Sequence, residues 1–264
     1  MSEQKQISET ALSTAFLRAL SCYEDAADVK NRDFMAEIFL PEDRRAKIKD
    51  SGYRNIAKGK IREGTYEYII ARTAYFDAFF LDCLKSGFAQ IVLLGAGYDS
   101  RALRFKDRLK GAKIFEVDAA FTQNQKIEIL NKNNMDSGHV DFVAADFEKN
   151  DFADMLVEAG FDKVKTSAFI WEGVAMYLSE KAVRDTLRNI MEISANGSLI
   201  GLDYLCFKPD PDSEIIRKDE IVQFGMDMET MEAFLGQYGF SAVENLRTVK
   251  KTMNFIKAVF INSV

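Results

Sequence analysis

The 264 residues are 47% hydrophobic and 29% charged with only three prolines, enough for one substantial core and too poor in chain breakers for long disordered linkers. A formal net charge of −6, with the basic residues read as spread along the chain, argues against nucleic acid as a partner. Three cysteines (Cys22, Cys83, Cys206) without metal-ligand spacing, a polar start MSEQKQISET and no apolar stretch of membrane-span length lead us to expect a cytoplasmic protein with no metal and no membrane contact.

From Ala11 to about Lys85 the pattern is helical, with Leu12, Phe16, Leu20 and Tyr23 recurring at three- and four-residue spacing. The longest helix is expected over residues 60–85, where Tyr66, Ile69, Ile70, Tyr75, Phe76, Phe79 and Phe80 supply an apolar surface to pack on the main domain. Residues 1–86 thus read as an N-terminal helical extension, expected to form a lid and part of the site of a domain over 87–264. Past Gly87, short apolar runs alternate with amphipathic stretches, the mark of β-α units around a parallel sheet. Strands are expected at 90–94, 113–117, 140–144, 167–171 and 198–203, with helices starting near Ser100, Phe121, Asp151 and Ser179. A further helix over 226–239 leads to apolar runs at 240–243 and 255–261, which suit a hairpin closing the sheet. The fold class is α/β, doubly wound, mostly parallel with the last strand antiparallel. The proline-bearing stretch 208–218 is expected to loop over the strand ends, where ligand sites of such sheets lie.

In IVLLGAGYDSRALRF a strand runs through Gly95, Ala96 and Gly97 into a helix start. Glycine there admits close approach of a ligand to the backbone, and the helix N-terminus favours an anion; a tight turn needing positive φ is the purely structural alternative. Ser100 stands where a dinucleotide fingerprint has Gly or Ala. The second strand ends in FEVD, which puts Glu116 and Asp118 about twenty residues on; an acid at this strand end can accept both hydroxyls of a ribose, or Asp118 can cap the next helix. The third strand ends at Asp146 and Phe147, able to hold an adenine, or to be a solvated acid beside a core ring. In FIWEGVAMYL, Glu172 falls at the topological switch, suited to an α-ammonium group, to an ion pair with Arg72 or Arg101, or to both. Tyr177 and Tyr204 are candidates for an acceptor pocket or for packing, and His139, ahead of a strand on the far side, reads as structural.

Taken in order, Ala71-Arg72-Thr73 with Phe76 and Asp77, then GAGYDSR, EVD with Lys126 after it, AADF and WEGVAMYL resemble the leucine carboxyl methyltransferase family, which includes bacterial O-methyltransferases of the polyketide-tailoring type. The resemblance runs from about Arg72 to Leu178; it departs at Ala120, where the family commonly has proline. It implies a Rossmann-like methyltransferase sheet with S-adenosylmethionine as cofactor. On it, Arg72 grips the methionine carboxylate, Arg18 in FLRALS is a second basic residue near it, and Gly95 and Glu172 hold the amino group. Asp118 takes the ribose, and Asp146 with Phe147 the adenine. The implied reaction is O-methylation of a carboxylate or hydroxyl on a small molecule or a peptide C-terminus, with no catalytic residue assigned. A carboxylate acceptor is already ionised at neutral pH and needs no general base, which agrees with the scarcity of histidine. Two other readings stay open. An NAD-linked Rossmann oxidoreductase would use the same glycine turn and acid, against which stand Ser100 and the lack of an obvious Tyr-x-x-x-Lys pair. A non-catalytic interaction protein would keep the fold, against which stand the polar groups retained at the strand ends.

Overall fold

Segments of five to eight residues form the seven strands of one sheet: β1 (Gln90–Leu94), β2 (Lys113–Asp118), β3 (Val140–Ala144), β4 (Ser167–Trp171), β5 (Leu199–Leu205), β6 (Phe240–Arg247) and β7 (Met253–Phe260). These come from a computed structural model, which describes residues 9–24, 33–149, 151–207, 216–217, 220–248 and 252–261. The start of the chain and most of the expected 208–218 loop lie outside the described residues. The strand order is β3-β2-β1-β4-β5-β7-β6. The first five strands pair in parallel, and β7 runs against both β5 and β6, so the expected hairpin does close the sheet.

Every residue of β1 and β4 is buried, because helices cover both faces. On one face lie α7 (Phe152–Glu158), α8 (Glu180–Ile193) and α9 (Met228–Gly236), joining Phe152, Leu156, Leu187, Ile190, Met231 and Phe234 to Val92, Phe115 and Phe169. Their starts are fixed by side-chain caps, Asp151 accepting from the Ala153 amide, Ser179 from Ala182 and Asp227 from Thr230. On the other face α4 (Thr65–Lys85) sets Phe76, Phe79, Phe80 and Cys83 against Ile91, Leu93, Ala168 and Ile170. The expected start at residue 60 moves to Thr65 because Gly64 takes a left-handed conformation, φ 66°, that ends helical continuity. The helix expected at Ser100 is a single turn, α5 (Arg101–Arg104). His139 sits at the far edge, its Nε2 2.9 Å from the Ala102 carbonyl.

The extension contributes α1 (Glu9–Ser21), α2 (Glu42–Lys47) and α3 (Ser51–Gly59) ahead of α4. Leu12, Ala15 and Leu20 of α1 pack with Phe39, with Tyr98 just past β1, and with Leu130 of α6 (Ala120–Lys132). Phe39 stacks on Tyr98 at a centroid distance of 5.0 Å. The extension is thereby fastened to the C-terminal edge of the sheet, where the strands end. Among the described residues no helix is long and apolar enough to cross a membrane.

The seat of α4 depends on Gly201 in β5. A Cβ there would lie 2.7 Å from Cε1 of Phe79, so the ring occupies the notch that the missing side chain leaves. Gly201→Val should therefore overpack this contact and destabilise the protein by about 1–3 kcal/mol in urea unfolding. Gly236→Ala, in open space at the end of α9, should cost nothing in the same assay.

Candidate active site

Beyond Leu94 the chain turns through Gly95 (φ 68°) and Gly97 (φ 46°). The amides of Gly95 and Ala96 donate to the Val117 carbonyl at 2.8 and 3.2 Å, tying the turn to the end of β2. At Gly95 only glycine fits, since a Cβ would lie 2.3 Å from Cγ2 of Val174. Asp118 accepts from the Gly97 amide and, at 2.7 Å, from the Ala119 amide. It is not the cap of α6, whose N-cap residue is Ala119 and has no side-chain bond. Burial pushes the Asp118 carboxyl above its usual range against the pull of those two amides. Glu116, two residues earlier, is not part of the cleft lining and pairs with buried Lys126 at 2.6 Å; burial pushes its carboxyl up to about 7.

At the end of β3, Asp146 accepts from the Glu148 amide at 3.0 Å and from Lys149 at 2.8 Å. Burial would raise its carboxyl, but these donors hold it below the usual range. Phe147, half-buried, meets Phe152 edge to face at 5.6 Å.

At the end of β4, Glu172 is shared by two arginines. Arg72, reaching over from α4, donates through Nε to Oε1 at 2.9 Å, and Nη1 of Arg101 lies 2.7 Å from Oε2. Burial works to raise the Glu172 carboxyl, but the charges of Arg101 and Arg72 outweigh it and hold the group below the ordinary glutamate range. The pairing spreads on both sides. Arg101 also meets Asp77 at 2.8 Å and Asp99 at 2.6 Å, Arg104 meets Asp77 at 2.7 Å and Asp33 at 3.3 Å, and Asp33 meets Arg18 at 3.1 Å. In the other direction Arg72 meets Asp203 at 3.4 Å. Asp203, fully buried, also accepts from Tyr68 and from the Gly173 amide, each at 2.5 Å. Gly173 must lack a side chain, because a Cβ would lie 2.7 Å from Nη1 of Arg72.

These elements enclose a cleft of about 230 Å³. It brings together Arg18, Arg72, Gly95, Ala96, Gly97, Asp118, Asp146, Phe147 and Glu172, with Thr10, Ala11 and Thr14 of α1 on its rim and Tyr177 beside Val174 and Leu178. Tyr204 is a correction. It is fully buried outside the cleft, donating to Asn245 at 2.9 Å and accepting from Asn254 at 3.1 Å, and so ties β5 to the hairpin. Its place near the end of β5 does not decide which side of the strand the ring takes, and both faces of β5 are covered. Asp203 and Tyr68 are site-building residues that sequence reasoning left without a role, whereas Arg101 is expected from sequence only as an ion-pair partner of Glu172. Asp203 carried the same signal as Asp118, an acid at the C-terminal end of a strand.

Two buried atoms of the cleft wall make no hydrogen bond in the described structure, Glu172 Oε2 and Arg18 Nε. Glu172 Oε2 lies 2.7 Å from Nη1 of Arg101 and keeps a second lone pair, and Arg18 Nε lies 3.1 Å from Asp33 Oδ2. Such a pair fits the ammonium and carboxylate of an amino acid. The model of the leucine carboxyl methyltransferase family matches residues 11–191, from α1 through most of α8.

The chain belongs to the leucine carboxyl methyltransferase family.

The cofactor of this family's methyl transfer is S-adenosylmethionine, and the cleft residues fit its amino-acid end and its ribose. A "Putative S-adenosyl-L-methionine-dependent methyltransferase" of Mycobacterium sp. (strain KMS) is 34% identical over 168 residues, covering 61% of this chain and 54% of that protein. One from Streptomyces coelicolor is 32% identical over 205 residues, covering 73% and 67%. The match thus spans about half the length of the mycobacterial relative. Among solved structures, a "putative methyltransferase" from Thermobifida fusca YX shares the fold, with a TM-score of 0.63 and 16% identity over 94% of each chain. Magnesium protoporphyrin IX methyltransferase from Synechocystis PCC 6803, solved with bound S-adenosylhomocysteine, aligns at a TM-score of 0.52 and 11% identity, over 80% of this chain and 95% of that one.

Two substitutions separate ligand contact from support. Asp118→Ala should weaken S-adenosylhomocysteine binding in calorimetry by at least tenfold, about 1.4 kcal/mol, with the thermal midpoint little changed; unchanged affinity would leave Asp118 a tie for the glycine turn only. Arg72→Lys keeps the charge but cannot serve Glu172 and Asp203 together. Its affinity should fall by about 1.5–3 kcal/mol, and normal binding with an early thermal midpoint would make Arg72 a strut.

Proposed function

We propose that the chain is an S-adenosylmethionine-dependent O-methyltransferase acting on a carboxylate or hydroxyl of a small molecule or peptide C-terminus, in the cytoplasm. The observation that carries the reading is that one cleft sets Glu172, Arg72 and Arg18 together with Asp118 and the glycine turn. Glu172 takes the ammonium group, and Arg72 with Arg18 the carboxylate. Asp118 turns from the Gly97 amide to the two ribose hydroxyls. Asp146 accepts from the adenine amine while Phe147 covers the ring.

The bound sulfonium supplies a methyl group already activated for in-line displacement. What remains for the chain is to orient the acceptor oxygen and strip it of water. Tyr177, on the cleft wall with Val174 and Leu178, is our candidate for the acceptor side. The one histidine lies at the opposite edge of the sheet, which favours an acceptor that needs no strong base, a carboxylate before an alcohol. The four carboxylates on the cleft wall, Asp99, Asp118, Asp146 and Glu172, disfavour a polyanion such as nucleic acid in this cleft.

Calorimetry tests the cofactor assignment directly. S-adenosylhomocysteine should bind in the micromolar range and NAD should not bind. Micromolar NAD binding without S-adenosylhomocysteine binding would sink the proposal and restore the oxidoreductase reading.

A further inference from the structure

The cations are less evenly spread than composition suggests. Residues 44–62 hold eight of them (Arg44, Arg45, Lys47, Lys49, Arg54, Lys58, Lys60, Arg62) against one acid, Asp50, in a chain of net charge −6. Lys47 and Lys58 are paired with Asp43 and Glu24, and Arg54 donates to the carbonyls of Ile48 and Lys49. Arg44, Lys60 and Arg62 make no ion pair or side-chain hydrogen bond among the described residues. These three stand around a second cavity, of about 300 Å³, between α1, α2 and the turn ahead of α4, with Phe16, Leu17 and Ile61 in its wall. Three cationic side chains that make no ion pair among the described residues, Arg44 having only Asp43 beside it in sequence, stand against an apolar wall and describe a ligand with two ends. A bare anion would leave the wall wet, and exposed cations hold it only weakly. An uncharged alkyl body would leave the cations unanswered.

We propose that this groove is a second ligand site, for a free amphipathic anion: a carboxylate or phosphate ester on an unbranched apolar body. The anionic group sits among Arg44, Lys60 and Arg62, and the body lies along Phe16, Leu17 and Ile61. The site is separate from the cofactor cleft, although one helix serves both, α1 giving Phe16 and Leu17 to the groove and Thr14 and Arg18 to the cleft. The inference does not rest on methyl transfer, and its test needs no cofactor.

The test is calorimetry of the full chain with octyl and decyl phosphate, each below its micelle concentration, beside inorganic phosphate, decanol and anionic phosphatidylserine vesicles. Decyl phosphate should bind, tighter than octyl by about fourfold for each added methylene, while inorganic phosphate and decanol bind at least tenfold more weakly. Arg44→Glu combined with Arg62→Glu should weaken decyl phosphate at least tenfold and leave S-adenosylhomocysteine binding and the thermal midpoint unchanged, which separates loss of the groove from loss of the fold. Leu17→Ala should reduce the gain per methylene while keeping the response to salt. The proposal is overturned if decyl phosphate does not bind, if inorganic phosphate binds as tightly, if the charge reversals have no effect, or if vesicles bind while the monomer does not.

Discussion

The sharing of Glu172 between Arg72 and Arg101 is the constraint on which the site depends. Each of these side chains comes from a different part of the fold: α4, the turn after β1, and the end of β4. Removing such ions from water costs several kcal/mol apiece, and only near-ideal geometry with further hydrogen bonds offsets the cost. The pair therefore forms only when helix, turn and strand are in final register. Asp77, Asp99 and Asp203 then take further guanidinium donors, and Asp33 carries the pairing on to Arg18 of α1. Apolar residues of similar volume would stabilise the fold as well or better. What they could not provide is a charged wall held in place before a ligand arrives, with little left to reorganise on binding.

The backbone of the site follows the same logic. Gly95 is pressed by Val174 and Gly173 by Arg72, so the two turns at the ends of β1 and β4 fit only because neither carries a side chain. Asp203 binds the Gly173 amide as well as Arg72 and Tyr68, which couples the turn after β4 to the charge it must accommodate. The family match ends at residue 191, before β5, while the Thermobifida fusca structure extends the shared fold over nearly the whole chain. The polar array thus spans both stretches, with eight of its nine charged members before that boundary and Asp203 beyond it.

The sheet was legible because a strand covered on both faces must be a short, mostly apolar run, and 90–94 and 167–171 are such runs bounded by turn residues. Helix starts at Asp151 and Ser179 were legible from their capping side chains. The glycine turn, Asp118, Asp146 with Phe147, and Glu172 share one rule: each stands at or just past the C-terminal end of a parallel strand, where such sheets converge on a ligand. The charged array was not legible in the same way. Its partners lie 100 residues apart for Arg72 with Glu172 and 131 for Arg72 with Asp203, and no local periodicity links them. Tyr204 misled for the converse reason, since proximity to a strand end says nothing about which side of the strand a ring takes.

The array also bears on how this chain can change over generations. Its four arginines and five carboxylates are joined so that most members serve two neighbours, and losing one leaves a buried charge without its counterpart, typically at 3–5 kcal/mol. For a domain whose whole stability is about 5–15 kcal/mol, each single step away removes a large share of it. A differently wired but equally stable interior is reachable only through paired or simultaneous substitutions. The residues that line the cleft are therefore tied, in evolutionary time, to residues that never touch a ligand, and the surface around them is freer to drift than the interior that holds it.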